Sequence, residues 1–257
     1  MLLYRQSMLM FLLCGLACAA GIHIERDSQR QSNNILSFMP IKDTMTVYTF
    51  TDTHYRLTVI DEGDDEPQFG NLKSALEQTA CIAGVNGGFF KDDRNLSPMG
   101  LLISRGCMVS PLAQHGFTAS GVLYDTGHEI KLERRQKLST PINQMQCAVQ
   151  SGPFLVENKK VVSGLNNKTR DRRTFVATDG RGNWVIGISS ALTLRELAEW
   201  LASSPKQLGI EIRHALNLDG GSSSAFADTE SGYHLPSIKR VRNYLGIFPA
   251  RSAYTSH

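Results

Sequence analysis

Cysteine is scarce in this sequence, and what there is cannot build a framework. Of five cysteines in 257 residues, Cys14 and Cys18 fall in an apolar N-terminal stretch. Cys81, Cys107 and Cys147 remain, too few for a disulfide scaffold and without the Cys-x-x-Cys spacing of zinc or dithiol sites. A single disulfide among them stays open, with burial as small apolar side chains the alternative. His54, His115, His128, His214 and His234 show no His-Glu-x-x-His or other metal spacing, so zinc is not expected. An excess of one charge is missing too. The 27 Lys+Arg face 24 Asp+Glu for a net +3, and the basic residues are scattered, which leaves no electrostatic footprint for nucleic acid. With 41% hydrophobic and 20% charged residues, disorder and fibrous repeats are excluded.

Long hydrophobic runs are also lacking. The apolar stretch from Met8 to Ala20 falls short of the roughly 18 residues of a spanning helix. It follows Arg5 and ends in small residues before Glu25, Arg26 and Asp27, which is the order of a secretory leader. This predicts a signal peptide over residues 1–20, cleavage near Ala19 or Ala20, and export to the periplasm or the exterior. Membrane contact is expected only through this segment, if it stays uncleaved. Residues 21–43 form a polar lead-in rich in Ser, Asn, Gln and Arg, and one folded domain is expected over 44–250.

Within that domain short strand signals dominate. Met45 to Phe50 and Tyr55 to Ile60, rich in Val, Thr, Tyr and Phe around Asp52-Thr53-His54, predict an opening hairpin closed by the acidic turn from Asp61 to Asp65. Thr174 to Thr178 and Asn183 to Ser189 flank Asp179-Gly180-Arg181-Gly182 as the strongest hairpin. Leu72, Ala75 and Leu76 lie at helical spacing within Asn71 to Gln78. Leu194, Leu197, Ala198 and Leu201 repeat the pattern behind Thr193 and Glu196, which read as a capping box. Many short strands and few helices predict an α+β fold: a single domain of mixed, largely antiparallel sheet with a few flanking helices.

Twice a helix leads to a short apolar strand that stops at a polar residue and two glycines, in Val85-Asn86-Gly87-Gly88 and Leu218-Asp219-Gly220-Gly221. Paired glycines at a strand end let backbone approach a ligand where no Cβ intervenes. Asp219 is therefore either a turn former or a carboxylate held at the rim of a cleft. Arg170, Asp171, Arg172 and Arg173 lead into the strand at Thr174; they form either a solvated edge or, where a guanidinium aims inward, a two-pronged donor suited to a phosphate diester. Neither Ser222-Ser223-Ser224 nor Ser151-Gly152-Pro153 has the Gly-x-Ser-x-Gly spacing of a serine nucleophile. No cofactor is required by these residues, although Asp219 with amide or backbone oxygens could hold calcium or magnesium.

Five segments occur in one order: Val85-Asn86-Gly87-Gly88-Phe89-Phe90, Ser151-Gly152-Pro153-Phe154-Leu155-Val156, Arg172-Arg173-Thr174-Phe175-Val176-Ala177, Thr193 through Asp219 to Ser224, and Arg240-Val241-Arg242-Asn243. This ordered set resembles the phosphodiester glycosidase family. The resemblance implies hydrolysis of a sugar-1-phosphodiester to free sugar and phosphomonoester, with a phosphate-linked sugar or envelope glycan as partner. It implies Asp219 as base, nucleophile or charge stabiliser, and Arg173 as the group that neutralises the departing phosphate. Asn86, Gly87, Gly88, Ser151, Gly152, Thr174, Gly220, Gly221, Ser222, Ser223 and Asn243 would contact the substrate, with Asp179 a weaker second carboxylate. The alternatives are a non-catalytic module that binds or assembles envelope glycan, and a metal-dependent phosphodiesterase that attacks phosphorus.

Overall fold

The computed structural model describes residues 45–64 and 66–250; the expected leader and the lead-in lie outside the described residues. Three antiparallel sheets carry the chain. The first has six strands in the order β1 (Met45–Thr51), β12 (Asn183–Leu192), β11 (Asp171–Thr178), β13 (His214–Asn217), β9 (Phe154–Glu157) and β10 (Lys160–Val161). The second runs β15 (His234–Leu235), β14 (Phe226–Asp228), β3 (Ala83–Asn86), β16 (Asn243–Pro249) and β2 (Tyr55–Asp61). The third runs β5 (Cys107–Ser110), β4 (Leu102–Ser104), β8 (Cys147–Ser151), β6 (Gly121–Asp125) and β7 (Ile130–Arg134).

Alternation along each strand sorts side chains between two sides of its sheet. In β11, Val176 enters a central core shared by all three sheets, where it joins Val59, Val85, Leu123 and Val149. Its neighbours Phe175 and Ala177 face an outer core under helix α2 (Leu194–Ser203). Helix α1 (Leu72–Gln78) covers the second sheet through Leu72, Ala75 and Leu76. A short α3 (Pro205–Leu208) adds Leu208 to the outer core of the first sheet.

Local chemistry sets the helix starts. Asn71 caps α1 by accepting the Ser74 N–H at 3.0 Å. Thr193 caps α2 by accepting the Glu196 N–H at 3.1 Å, while Glu196 Oε2 accepts the Thr193 N–H at 2.9 Å. The predicted capping box is therefore present in both directions.

Two expectations are corrected. The segments read as an opening hairpin are both strands, but they do not pair: β1 pairs with β12 and β2 with β16. The turn at Asp52-Thr53-His54 carries the chain from one sheet to another: the backbone of β1 pairs with β12, while Tyr48 and Phe50 share the central core with Leu57 and Val59 of β2. The fold is also mainly β and only loosely α+β: the expected largely antiparallel pairing and few helices are present, spread over three sheets. Cys81, Cys107 and Cys147 are free thiols, the first and last buried and Cys107 exposed. No described helix is long and apolar enough to cross a membrane.

Candidate active site

The two strand-end motifs meet. β3 and β13 belong to different sheets, yet Asn86 Nδ2 donates to the Asp219 carbonyl at 2.7 Å and the Asp219 N–H donates to the Gly87 carbonyl at 3.1 Å. Asn86 Oδ1 accepts from Thr174 Oγ1 at 2.7 Å and from the Ala225 N–H at 3.0 Å. Thr174 Oγ1 lies 3.2 Å from Ser224 Oγ. The Leu218 N–H donates to the Thr174 carbonyl at 2.8 Å, which extends the β11–β13 ladder up to Asp219.

Asn243, the first residue of β16, completes one wall. Its carbonyl accepts the Gly87 N–H at 2.8 Å and its Oδ1 accepts the Gly88 N–H at 2.9 Å. A Cβ on Gly87 would run into Asn243 Oδ1, so only glycine admits this approach. Next to this wall is the end of β8, whose Val149 and Gln150 pack against Gly88 and where the chain passes from the third sheet to the first through Ser151, Gly152 and Pro153. Asn217 Nδ2 donates to the Gly152 carbonyl at 3.0 Å and to the Leu218 carbonyl at 2.7 Å. Beyond Asp219 a single 3₁₀ turn over Gly221–Ser223 reverses the chain. Gly221 takes φ +62 there and faces Asp171, whose Oδ2 would lie 2.9 Å from an added Cβ.

Four buried polar atoms from these segments have no hydrogen-bond partner: Ser151 Oγ, Asn217 Oδ1, Ser223 Oγ and Asn243 Nδ2. Leaving such groups unmade costs stability, and this grouping is what a polar ligand would relieve. Burial pushes the Asp219 carboxyl above its ordinary value. Ser223, the Lys239 charge and the Gly220 N–H, which donates to Oδ1 at 2.9 Å, oppose that shift. Ser223 Oγ is thus near enough to favour the carboxylate without a hydrogen bond of ordinary geometry.

Arg173 is half-buried in β11, and burial lowers its pKa against the charge of Asp171. Its Nε donates to the Leu192 carbonyl at 2.9 Å and its Nη2 to the Thr169 carbonyl at 2.7 Å. Part of its fork therefore holds the strand end. Ser222 is exposed and contributes its carbonyl, which accepts the Ile238 and Lys239 N–H groups at 2.8 and 3.2 Å. Asp179 is engaged elsewhere: its carboxylate accepts from Arg181 N, Asn183 N and Asn183 Nδ2 and closes the β11–β12 turn.

Among the described residues no three His, Cys, Asp or Glu side chains gather as a metal site. A hard cation at Asp219 would depend on amide and hydroxyl oxygens for the rest of its shell. A cleft of about 390 Å³ between Ile60, Phe69, Ser104 and Phe248 contains none of the candidate-site residues. Sequence reasoning did not single out Asn217 or Lys239. Asn217 sits inside the quoted run before Asp219, and Lys239 adjoins Arg240-Val241-Arg242-Asn243, so position beside those segments was the available signal.

Solved structures share the fold. The catalytic domain of zebrafish N-acetylglucosamine-1-phosphodiester alpha-N-acetylglucosaminidase, auto-inhibited by its pro-peptide, aligns over 85% of this chain and 87% of its own at TM-score 0.57 and 15% identity. A hypothetical protein from Synechocystis aligns over 83% of this chain and 61% of its own at 0.56 and 18% identity. A Burkholderia pseudomallei protein assigned as exported aligns over 91% and 81% at 0.55 and 13% identity. No curated protein is similar enough in sequence to match. The phosphodiester glycosidase family model matches residues 79–248, which include both strand-end motifs, Arg173 and Asn243. The chain belongs to the phosphodiester glycosidase family.

Proposed function

We propose that this protein is an exported hydrolase that cleaves the glycosidic bond of a sugar-1-phosphodiester and releases free sugar and a phosphomonoester. The observation that carries the reading is Asp219: one half-buried carboxyl, raised in pKa by burial, on segments that also hold four buried polar atoms without hydrogen-bond partners. A raised pKa suits a carboxylate that must take a proton near neutrality. The orphaned hydroxyls and amides suit a sugar, whose own hydroxyls both donate and accept.

One carboxylate suffices for the chemistry. Water attacks the anomeric carbon, its oxygen forms the new carbon–oxygen bond, and Asp219 takes its proton. The bond between that carbon and the bridging oxygen breaks, and its electron pair leaves with the phosphate. A phosphomonoester with a second pKa of about 6 departs without a general acid. Positive charge at the rim, from Arg173 and Lys239, offsets the charge that develops on it. The zebrafish enzyme's N-acetylglucosamine-1-phosphodiester supplies the first probe. The leader pattern of residues 1–20 and the Burkholderia protein of the same fold that is assigned as exported support export.

The test is sugar release from a panel of sugar-1-phosphodiesters in isotopically labelled water. Label in the sugar is expected, together with a loss of about a thousandfold in kcat for Asp219→Asn. Label in the phosphate would reject attack at carbon. Sugar binding without turnover by the wild-type chain would point to a binding module.

A further inference from the structure

Resting on the glycosyl phosphodiester reading, we infer that Lys239 is the residue that recognises the phosphate, and that Phe90 is the resting place of its ammonium. Two contacts place it. The Ile238 and Lys239 N–H groups both donate to the Ser222 carbonyl, which fixes this backbone to the turn that follows Asp219. The Lys239 Nζ lies 4.8 Å from the centroid of the Phe90 ring, at the end of the run Asn86-Gly87-Gly88-Phe89-Phe90. Lys239 therefore spans the same two segments that Asn86 and Asp219 join beneath it.

Its chemistry fits the task better than the neighbouring guanidinium. Among the described residues no carboxylate lies within 4.0 Å of the Lys239 ammonium. An aromatic face is a weak partner for an exposed cation, whereas a charge-assisted bond to a phosphoryl oxygen is among the strong ones. The side chain is exposed and has four rotatable carbons, so it can leave the ring when an anion arrives. Arg173, by contrast, has Nε and Nη2 committed to the Leu192 and Thr169 carbonyls. The charge of Lys239 also reaches Asp219, so the ammonium and the carboxyl share one site. Arg173 then acts chiefly by holding the strand end, and Lys239 selects phosphodiesters over neutral glycosides.

The experiment titrates inorganic phosphate, phenyl phosphate and free N-acetylglucosamine into the purified chain and into Lys239→Gln, Lys239→Arg and Arg173→Gln. Turnover of N-acetylglucosamine 1-(methyl phosphate) is measured alongside. Lys239→Gln should weaken phosphate binding about tenfold, as loss of one charge-assisted bond implies, and raise KM more than it lowers kcat. Free sugar affinity should be unchanged, Lys239→Arg should restore most of the loss, and the wild-type advantage should shrink with added salt. Unchanged phosphate affinity in Lys239→Gln, or an equal loss of sugar affinity, would overturn the inference and leave hydrolysis standing. Lys239-dependent phosphate binding in a chain that turns nothing over would support the anion site and reject only the hydrolysis.

Discussion

Asn86 and Asp219 lie 133 positions apart in sequence and hold each other's strand end: the Asn86 side chain donates to the Asp219 carbonyl at 2.7 Å, and the Asp219 amide donates to the carbonyl of Gly87 beside it at 3.1 Å. The backbone of Asp219 is thereby fixed at both polar atoms, with Gly220 N–H on its own Oδ1. A carboxylate supported in this way is aimed by the junction of two sheets rather than by a loop, as a preorganised site requires.

Removing that junction should be costly. Asn86→Ala strands the Asp219 carbonyl and the Ala225 N–H and leaves the Thr174 hydroxyl with Ser224 alone. A loss of about 3 kcal/mol is expected from unpaired groups of this kind, read as a lower denaturant midpoint at constant slope. Asn86→Asp should be worse, because it replaces the donor to Asp219 with a carboxylate facing a carbonyl. An Asn86→Ala chain with wild-type stability and turnover would show that the β11–β13 ladder alone positions Asp219.

The pH dependence follows from Asp219. Burial lifts its carboxyl above 3.8, with Ser223, Lys239 and Gly220 pulling the other way. Between that ordinary value and the raised one, the folded protein keeps a proton that the unfolded chain has released. The native state binds more protons there, so this group's contribution to stability falls as pH rises through the window and stays unfavourable above it. Asp219→Asn should therefore be more stable than wild type at pH 7, with the difference narrowing as pH is lowered toward 3.8. The acidic limb of kcat/KM should lie above the ordinary aspartate range. Equal stability at pH 7 would mean that the ionised carboxylate is held as well as water holds it.

Local chemistry was legible in the sequence and long-range pairing was not. The capping box at Thr193 and Glu196, the α1 start at Asn71 and the turn at Asp179 depend on neighbours in the chain, and each is where the pattern put it. Which strands pair depends on the shared core. Met45 to Phe50 and Tyr55 to Ile60 carry the alternation of a hairpin, yet Tyr48 and Leu57 reach the same core from different sheets. β16, the strand between β2 and β3, begins directly after Arg242, is buried on both faces from Asn243 to Ile247 and ends in proline, so it carries no clean alternation of its own. The strand ends at Asn86 and Asp219 were visible as a repeated pattern. Their mutual hydrogen bonds were not, because nothing local records that two sheets converge there.

The acidic turn after β2 has its partner at the far end of the chain. Arg242 is only 2% exposed and donates from Nε and Nη2 to both oxygens of Asp61 at 2.7 and 3.1 Å. Its Nη1 reaches Asp64 at 2.6 Å and the Asn95 carbonyl at 2.8 Å. This fork precedes Asn243, whose Oδ1 receives Gly88, so it pins the start of β16 where the site wall begins. Arg242→Met leaves Asp61, 16% exposed, without its charge partner, and removing one member of a buried pair should cost about 3 kcal/mol. Arg242→Lys should recover only part, since one ammonium cannot replace a planar fork. Asp64 is 68% exposed, so Asp64→Asn should change stability by less than about 1 kcal/mol. Denaturant midpoints for the three variants, with Asp61→Asn closing a double-mutant cycle, separate these terms. If Arg242→Met matches wild type, the ladder of β16 with β2 and β3 suffices to place Asn243, and the buried guanidinium contributes nothing to the site wall.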